Sequence, residues 1–388
     1  MFDDMETPKI ALVAGEASGD LLAAHLIKAL KQRLPNARFY GIGGPKMQAA
    51  GFDALWPSEK LAVRGYVEVL RHYREIAGIR RKLLQHLRKE ERPDIFIGVD
   101  APDFNLWLER KLKRGGITTM HFVSPSIWAW RGGRIRDIAR SVGHMLALFP
   151  FEAPLYEKQG IPVTYVGHPL ADVIPLDVDH AAARERLGVQ EPPGPLIALL
   201  PGSRQSELHF LAETYIETGK RLLARFPTAQ LLVPLVSRET RNIFEETLWK
   251  QGAQDLPFTL LFGHAQDALA AADVALVASG TATLEAALLK CPMVITYRMA
   301  PGSWRLTQRM RYQPWVGLPN ILSGKFVVPE LLQEAATPDN LAQALGNLLA
   351  DQGVRERMRD VFHEMHRGLK LDTATRAADA VMASLEQR

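Results

Sequence analysis

Short apolar runs alternate with stretches of helical spacing along this chain, and after a polar connection the alternation begins again. No other feature constrains the fold as much. Continuous apolar runs mark strands buried on both faces, and helices between them mark βαβ units with a parallel sheet. The spacing predicts strands at Ile10–Ala14, Phe39–Ile42, Ile95–Val99, Thr118–Phe122, Met145–Phe149 and Val163–Val166. Helical stretches such as Leu21–Leu34 and Glu75–Leu87 lie between several of them. The second series is Leu196–Leu200, Gln230–Leu235, Phe258–Phe262, Val274–Val277 and Met293–Tyr297. Gly167–Gly194, rich in Pro and Asp, separates the two series, and only helical patterns follow Thr337. The expectation is an α/β protein of two doubly wound, Rossmann-like domains facing each other across a cleft. They cover 1–170 and 195–350, joined by a connection over 171–194, with helices over 351–388.

Composition agrees with two cores. The chain has 388 residues, 47% hydrophobic and 23% charged, a globular balance that excludes disorder or a coiled coil as the main state. A single cysteine, Cys291, excludes a disulfide framework and an all-cysteine metal site, and fits a reducing compartment. No run is apolar and long enough to span a bilayer. The acidic opening MFDDMETPKIALVAG lacks the pattern of a secretory signal. A cytoplasmic location is therefore expected.

Charge is distributed unevenly. Residues 1–170 hold 25 Lys and Arg against 18 Asp and Glu, whereas 171–388 hold 22 against 25. Arg71–Arg92 alone carries eight basic and three acidic residues. A basic surface of this kind favours a polyanionic partner: a phosphorylated substrate, an anionic lipid or a nucleic acid. Within Arg64–Arg92, apolar residues such as Val67, Leu70 and Ile79 are mixed with Arg80, Arg81 and Lys82, and Trp128, Trp130 and Arg131 add aromatics beside cations. The stretch is suited to an anionic membrane, or is an amphipathic helix that covers the sheet and keeps a solvated basic face. No nucleic-acid motif accompanies it.

Candidate chemistry sits where strands end, because ligands of doubly wound sheets bind beyond the strands' carboxyl ends. Gly15, Glu16, Ser18 and Asp20 follow the first strand, without a dinucleotide fingerprint, and Ser18 or Asp20 can instead cap the next helix. Asp100 stands at the tip of Ile95–Val99, where a carboxylate can take a proton from a hydroxyl nucleophile. Asp103 and Asn105 open the following helix, and one of them is expected to cap it. In the second series, Gly202, Ser203 and Arg204 form a glycine-containing loop before a helix, a place suited to phosphate. Ser279, Gly280 and Thr281 repeat the arrangement, with Glu285 one turn on, where it could bind ribose hydroxyls. Two such loops in one domain point to a nucleoside diphosphate, although each alone reads equally as an ordinary capped turn. Asp177 and Asp179 have the spacing of metal-dependent sugar transferases, but Asp179 reads better as the cap of Ala181–Leu187. No histidine cluster has metal-ligand spacing, and neither a metal nor a cofactor is expected.

With these motifs the chain resembles the lipid-A-disaccharide synthase family of bacterial GT-B glycosyltransferases. The matching stretches are ALVAGEASGD at 11–20, GVDAPDFN at 98–105, HFVSPSIWAW at 121–130, LLPGSR at 199–204, ASGTATLEAAL at 278–288 and LPNIL at 318–322. The resemblance implies metal-free, inverting transfer from UDP-2,3-diacylglucosamine to 2,3-diacylglucosamine 1-phosphate (lipid X). The products are UDP and a β-1,6-linked disaccharide 1-phosphate. It implies that Asp100 is the base, that Gly202, Ser203, Arg204, Ser279, Gly280, Thr281, Glu285 and Asn320 bind the donor, and that Glu16, Ser18, Asp20 and Asn105 contact acceptor or sugar. Anionic inner-membrane lipids would be met through Arg80, Arg81 and Lys82, on the cytoplasmic face. A homodimer with exchanged C-terminal helices is implied too, or else those helices pack back on the first domain; no nucleic acid is. Two alternatives stay open: another UDP-sugar transferase or epimerase of the same fold, and a non-catalytic nucleotide sensor at the membrane.

Overall fold

A computed structural model describes residues 7–58, 61, 66–127, 132–189, 194–310 and 313–387, with the backbone alone over 66–73 and at 132, 306, 309 and 310. The chain divides into two compact units. The first comprises Met1–Asp172 with Leu369–Arg388, and the second Val173–Gly368.

The first unit holds β1 (Lys9–Ala14), β2 (Arg38–Gly43), β3 (Asp53–Pro57), β4 (Ile95–Val99), β5 (Thr118–Phe122), β6 (His144–Ala147) and β7 (Val163–Tyr165). They form one sheet in the order β3-β2-β1-β4-β5-β6-β7, and every pairing is parallel. Ile10, Leu12, Ile97 and Val99 turn to one face, Ala11, Val13 and Phe96 to the other, which is why both phases of the central strands β1 and β4 are apolar. On the first face lies α1 (Ala17–Arg33), which contributes Leu26, Ile27 and Leu30. Between β2 and β3 comes the short α2 (Pro45–Ala49). On the second face lie α3 (Tyr66–Gln85), through Ile79 and Leu83, and α4 (Pro102–Lys113), through Phe104, Leu108 and Leu112.

The second unit repeats the plan with β8 (Leu196–Leu200), β9 (Gln230–Leu235), β10 (Phe258–Phe262), β11 (Val274–Ala278), β12 (Met293–Tyr297) and β13 (Glu330–Leu332). Its order is β10-β9-β8-β11-β12-β13, again all parallel. In both sheets the strand order reverses once, between β1 and β4 and between β8 and β11. Ligands of open parallel sheets bind outside the carboxyl ends at such reversals, and all four candidate loops stand there.

Most of the expected strands occur within a residue or two of the predicted ends. β3 and β13 escape the apolar-run criterion because they are short and half-exposed edge strands. Residues 351–388 do not behave as one block. The helix Gln352–Leu369 lies, but for its last residue, in the second unit, and only Thr373–Glu386 joins the first. There Ala377, Ala378, Val381 and Leu385 share the core of α1, and Arg33 pairs with Asp379 at 2.6 Å. Asp172 fixes the entry of this helix by accepting from the amides of Asp372 (2.9 Å) and Thr373 (2.7 Å). The segment read as a connection carries the helix His180–Arg186 of the second unit, and Asp179 caps it, accepting from Ala182 N–H at 2.9 Å. Among the described residues no helix is long and apolar enough to cross a membrane.

Candidate active site

In the first unit the reversal brings the β1 and β4 tips side by side, with Ala14 in register with Val99. Glu16 takes the N-cap position of α1 and is exposed, as is Ser18. A Cβ at Gly15 would approach Ala101 Cβ at 3.1 Å, so the two loops touch. Asp100 (φ 52°) and Ala101 (φ 42°) both adopt the left-handed conformation, and Val123 (φ 80°) does so at the neighbouring β5 tip. For residues bearing a Cβ this costs on the order of 1–3 kcal/mol each, and such strain persists only where the surroundings over-determine it. The turn presents a half-buried Asp100 at the carboxyl end of the sheet, while its amide donates to Phe122 O at 2.8 Å. Ala101 takes the N-cap position of α4 and Pro102 the first turn, where a missing N–H does no harm.

Neither Asp103 nor Asn105 caps α4. Asp103 is exposed and pairs with Arg134. Asn105 is fully buried; its amide donates to Asp100 O (2.8 Å) and Val13 O (3.3 Å), so it cannot line a sugar site as it stands. One turn further along α4, Glu109 Oε1 meets His121 Nδ1 at 2.7 Å, both residues being fully buried. Burial pushes the Glu109 carboxyl above its usual range, and His121 offsets part of that. Gly98 is what admits this group: a Cβ there would lie 2.1 Å from Glu109 Oε1 and 2.9 Å from Asn105 Cβ.

Asp20 departs from its expected role too. It is 3% exposed, and its carboxylate accepts from the amides of Gly44 (2.9 Å), Lys46 (3.0 Å) and Met47 (3.0 Å). It therefore caps α2, which has only a glycine at its own N-cap, and does not cap α1.

In the second unit, β8 leads through Gly202 (φ 115°) into the helix Gln205–Arg225. Glycine is required there, since a Cβ would sit 2.5 Å from Glu207 Oε2. Glu207 accepts from the amides of Ser203 (2.9 Å) and Arg204 (3.1 Å), and its other oxygen lies 3.2 Å from the Arg204 guanidinium. The two amides expected to hold phosphate are therefore already paired. What the loop offers an anion is the Arg204 side chain, 75% exposed, and the first amides of the helix itself. Beyond β11, Gly280 and Thr281 open the helix Thr281–Leu288 and are exposed. Ser279 donates to Val316 O at 3.3 Å, and Glu285, half-buried, accepts from Gln266 at 2.8 Å. Asn320 spends its side chain within the fold. It is fully buried, donates to Val328 O and Glu330 (both 2.8 Å), and accepts from the amides of Val327 (2.8 Å) and Val328 (2.9 Å). Glu330 in turn receives the amides of Val316 and Gly317. Asn320 thus braces the loop against which Ser279 rests.

Comparison with known proteins decides among the readings left open. The family model described as lipid-A-disaccharide synthetase matches residues 10–383. The chain belongs to the lipid-A-disaccharide synthase family. It is 62% identical over 379 residues to the lipid-A-disaccharide synthase of Aromatoleum aromaticum, covering 98% of this chain and 96% of that one. It is 60% identical over 378 residues to the one from Azoarcus sp., covering 97% and 96%. Among solved structures, a calicheamicin glycosyltransferase superposes with a TM-score of 0.60 at 14% identity over 98% of this chain and 99% of that one. The UDP-GlcNAc 2-epimerase of Neisseria meningitidis, bound to UDP-GlcNAc, gives 0.61 at 12% over 98% and 100%. At such identities the likeness is one of fold, that of GT-B glycosyltransferases, and the enzyme class comes from the family.

The basic stretch divides under inspection. Arg80 folds over Trp107, its guanidinium 4.4 Å from the ring centre, and donates to Asp103 O, whereas Arg81 and Lys82 are exposed. Arg64, Trp128, Trp130 and Arg131 lie outside the described residues. Sequence reasoning gave no role to Glu207, although a glutamate three residues after the cap position is a capping signal. It had none for Glu109, His121 or Glu330, whose partners are distant in the chain. Among the described residues no group of three or more His, Cys, Asp or Glu side chains could hold a metal ion.

Proposed function

We propose that this chain joins UDP-2,3-diacylglucosamine to lipid X with inversion, giving the β-1,6-linked disaccharide 1-phosphate and UDP. The observation that carries the reading is the Asp100 turn, in a chain of this family: a strained, non-glycine turn holds a carboxylate at the strand-order reversal. The acceptor's 6-hydroxyl gives its proton to Asp100 as its oxygen bonds to the donor's anomeric carbon. The bond from that carbon to the diphosphate breaks, and the electron pair leaves with UDP. Arg204 and the first-turn amides of Gln205–Arg225 and Thr281–Leu288 meet the growing negative charge. Glu285 takes ribose hydroxyls in this reading, and Glu16 and Ser18 contact acceptor or donor sugar.

Two acylated substrates call for a membrane surface. Arg81 and Lys82, exposed on α3, suit the anionic headgroups of the inner membrane's cytoplasmic face. A homodimer accompanies this reading. Vesicle binding should rise with anionic lipid, weaken with salt, and drop when Arg81 and Lys82 are both replaced by Glu; indifference to all three would remove the patch from the account.

Asp100→Asn tests the base. It keeps the size of the side chain and removes its basicity, so turnover should fall about 10²–10⁴-fold. UDP affinity should be unchanged. Normal turnover by folded Asp100→Asn would send the search for the base to Glu16.

A further inference from the structure

The left-handed Asp100–Ala101 turn needs something to hold it. Among the described residues four hydrogen bonds converge there: Asp100 N–H to Phe122 O (2.8 Å), the amides of Phe104 and Asn105 to Ala101 O (both 3.0 Å), and the Asn105 side chain to Asp100 O (2.8 Å). Only the last comes from a side chain. The same Asn105 amide reaches Val13 O at 3.3 Å on β1, so one group ties the Asp100 turn to the neighbouring strand. It is fully buried, and Asn105 Oδ1 has no hydrogen-bond partner among the described residues. A buried polar side chain kept with half its capacity unpaired has a cost, which suits a position selected for what its donor does. Below it, the Glu109–His121 contact locks the same face of α4 to β5. Gly98 keeps the space that both Asn105 and Glu109 occupy.

We propose that Asn105 is a positioning residue: it does not touch substrate but holds the Asp100 backbone in the left-handed conformation that aims the carboxylate. The inference rests on the reading of Asp100 as the base. Left without the tie, Asp100 and Ala101 relax toward ordinary backbone angles and the carboxylate swings from the acceptor hydroxyl. Binding surfaces stay in place, so the loss falls on the chemical step.

Asn105→Leu removes the donor at similar size. The expected result is a fall in kcat of about 10²-fold, because a misaimed base loses much of the 10²–10⁴-fold that general-base catalysis supplies. KM for both substrates should stay within about threefold. Asn105→Ser, a milder change whose single hydroxyl can serve one carbonyl at a time, should give an intermediate kcat and covers the case in which the leucine variant fails to fold. Glycine enters the left-handed region without steric cost, so Ala101→Gly added to Asn105→Leu should restore part of the lost kcat. A merely structural asparagine predicts the reverse, since the added glycine loosens the fold further. In the Asp100→Asn background, Asn105→Leu should cost little more, as two residues acting through one group are not additive. Normal kcat in folded Asn105→Leu or Asn105→Ser beside a crippled Asp100→Asn would overturn the positioning role alone. Normal kcat in Asp100→Asn would overturn the reading beneath it.

Discussion

Asp20 separates stability from catalysis more sharply than any other residue of the site motif. Its Oδ1 accepts from Gly44 and Met47 and its Oδ2 from Lys46, and the first two bonds are buried. Asp20→Ala strands those donors, at about 1–3 kcal/mol for each buried group, and withdraws a negative charge from the start of α2. The bonds share one acceptor group and are not independent, so the sum is about 3–5 kcal/mol. Asp20→Asn keeps one oxygen for Gly44 and Met47 and turns an N–H₂ toward the Lys46 amide, a loss of about 1–2 kcal/mol. With a denaturant slope of about 2–3 kcal/mol per molar urea for a unit of this size, alanine should lower the unfolding midpoint by about 1–2 M and asparagine by about 0.5 M. Circular dichroism against urea reads this. Turnover per folded molecule, measured well below the transition, should stay within a few fold for Asp20→Asn. A variant with parental stability and a hundredfold lower turnover would refute the reasoning and put Asp20 in contact with substrate.

Three further outcomes follow from single groups. Burial drops the His168 pKa to about 4, against the pull of Asp172, and the ring stacks on Phe149. The unfolded chain therefore binds a proton that the folded one refuses; the stability is whole above pH 6.5 and is lost as pH falls toward 4, by about 2 kcal/mol at pH 5. The drop in urea midpoint from pH 7 to pH 5 should be smaller in His168→Gln. Arg204→Ala should weaken UDP binding and slow turnover about 10²–10³-fold with little change in melting temperature, since the side chain is mostly exposed; EDTA should leave turnover as it is. Cys291 is fully buried and its thiol is pushed up to about 12, so a thiol reagent at pH 8 should label it only as fast as the protein unfolds.

The fold was legible in the sequence because strands buried on both faces must be apolar at both phases, and β4, β8, β11 and, past Lys9, β1 are. The reversals between them put the Gly15, Asp100, Gly202 and Ser279 loops where a ligand can bind, so the location of the candidate site was legible too. Individual roles were not. Asp20, Asn105 and Asn320 have the residue types of a sugar site, yet each is buried and hydrogen-bonded to backbone that lies close only once the chain has folded. Asp20 reaches 24 residues along the chain to Gly44, and Asn105 reaches 92 back to Val13. A local reading sees a polar residue at a helix start and expects a cap or a ligand contact; it cannot see a carbonyl on the next strand. The edge strands β3 and β13 were missed for the complementary reason, that half-exposed strands need not be apolar.

The account stands most directly on the product. Purified protein with UDP-2,3-diacylglucosamine and lipid X, in EDTA, should release one UDP for each disaccharide 1-phosphate found by mass spectrometry. The one-bond carbon–hydrogen coupling of the new anomeric centre should report a β-linkage. An α-linked product, or UDP released without any disaccharide, would contradict single displacement by an acceptor hydroxyl that Asp100 deprotonates.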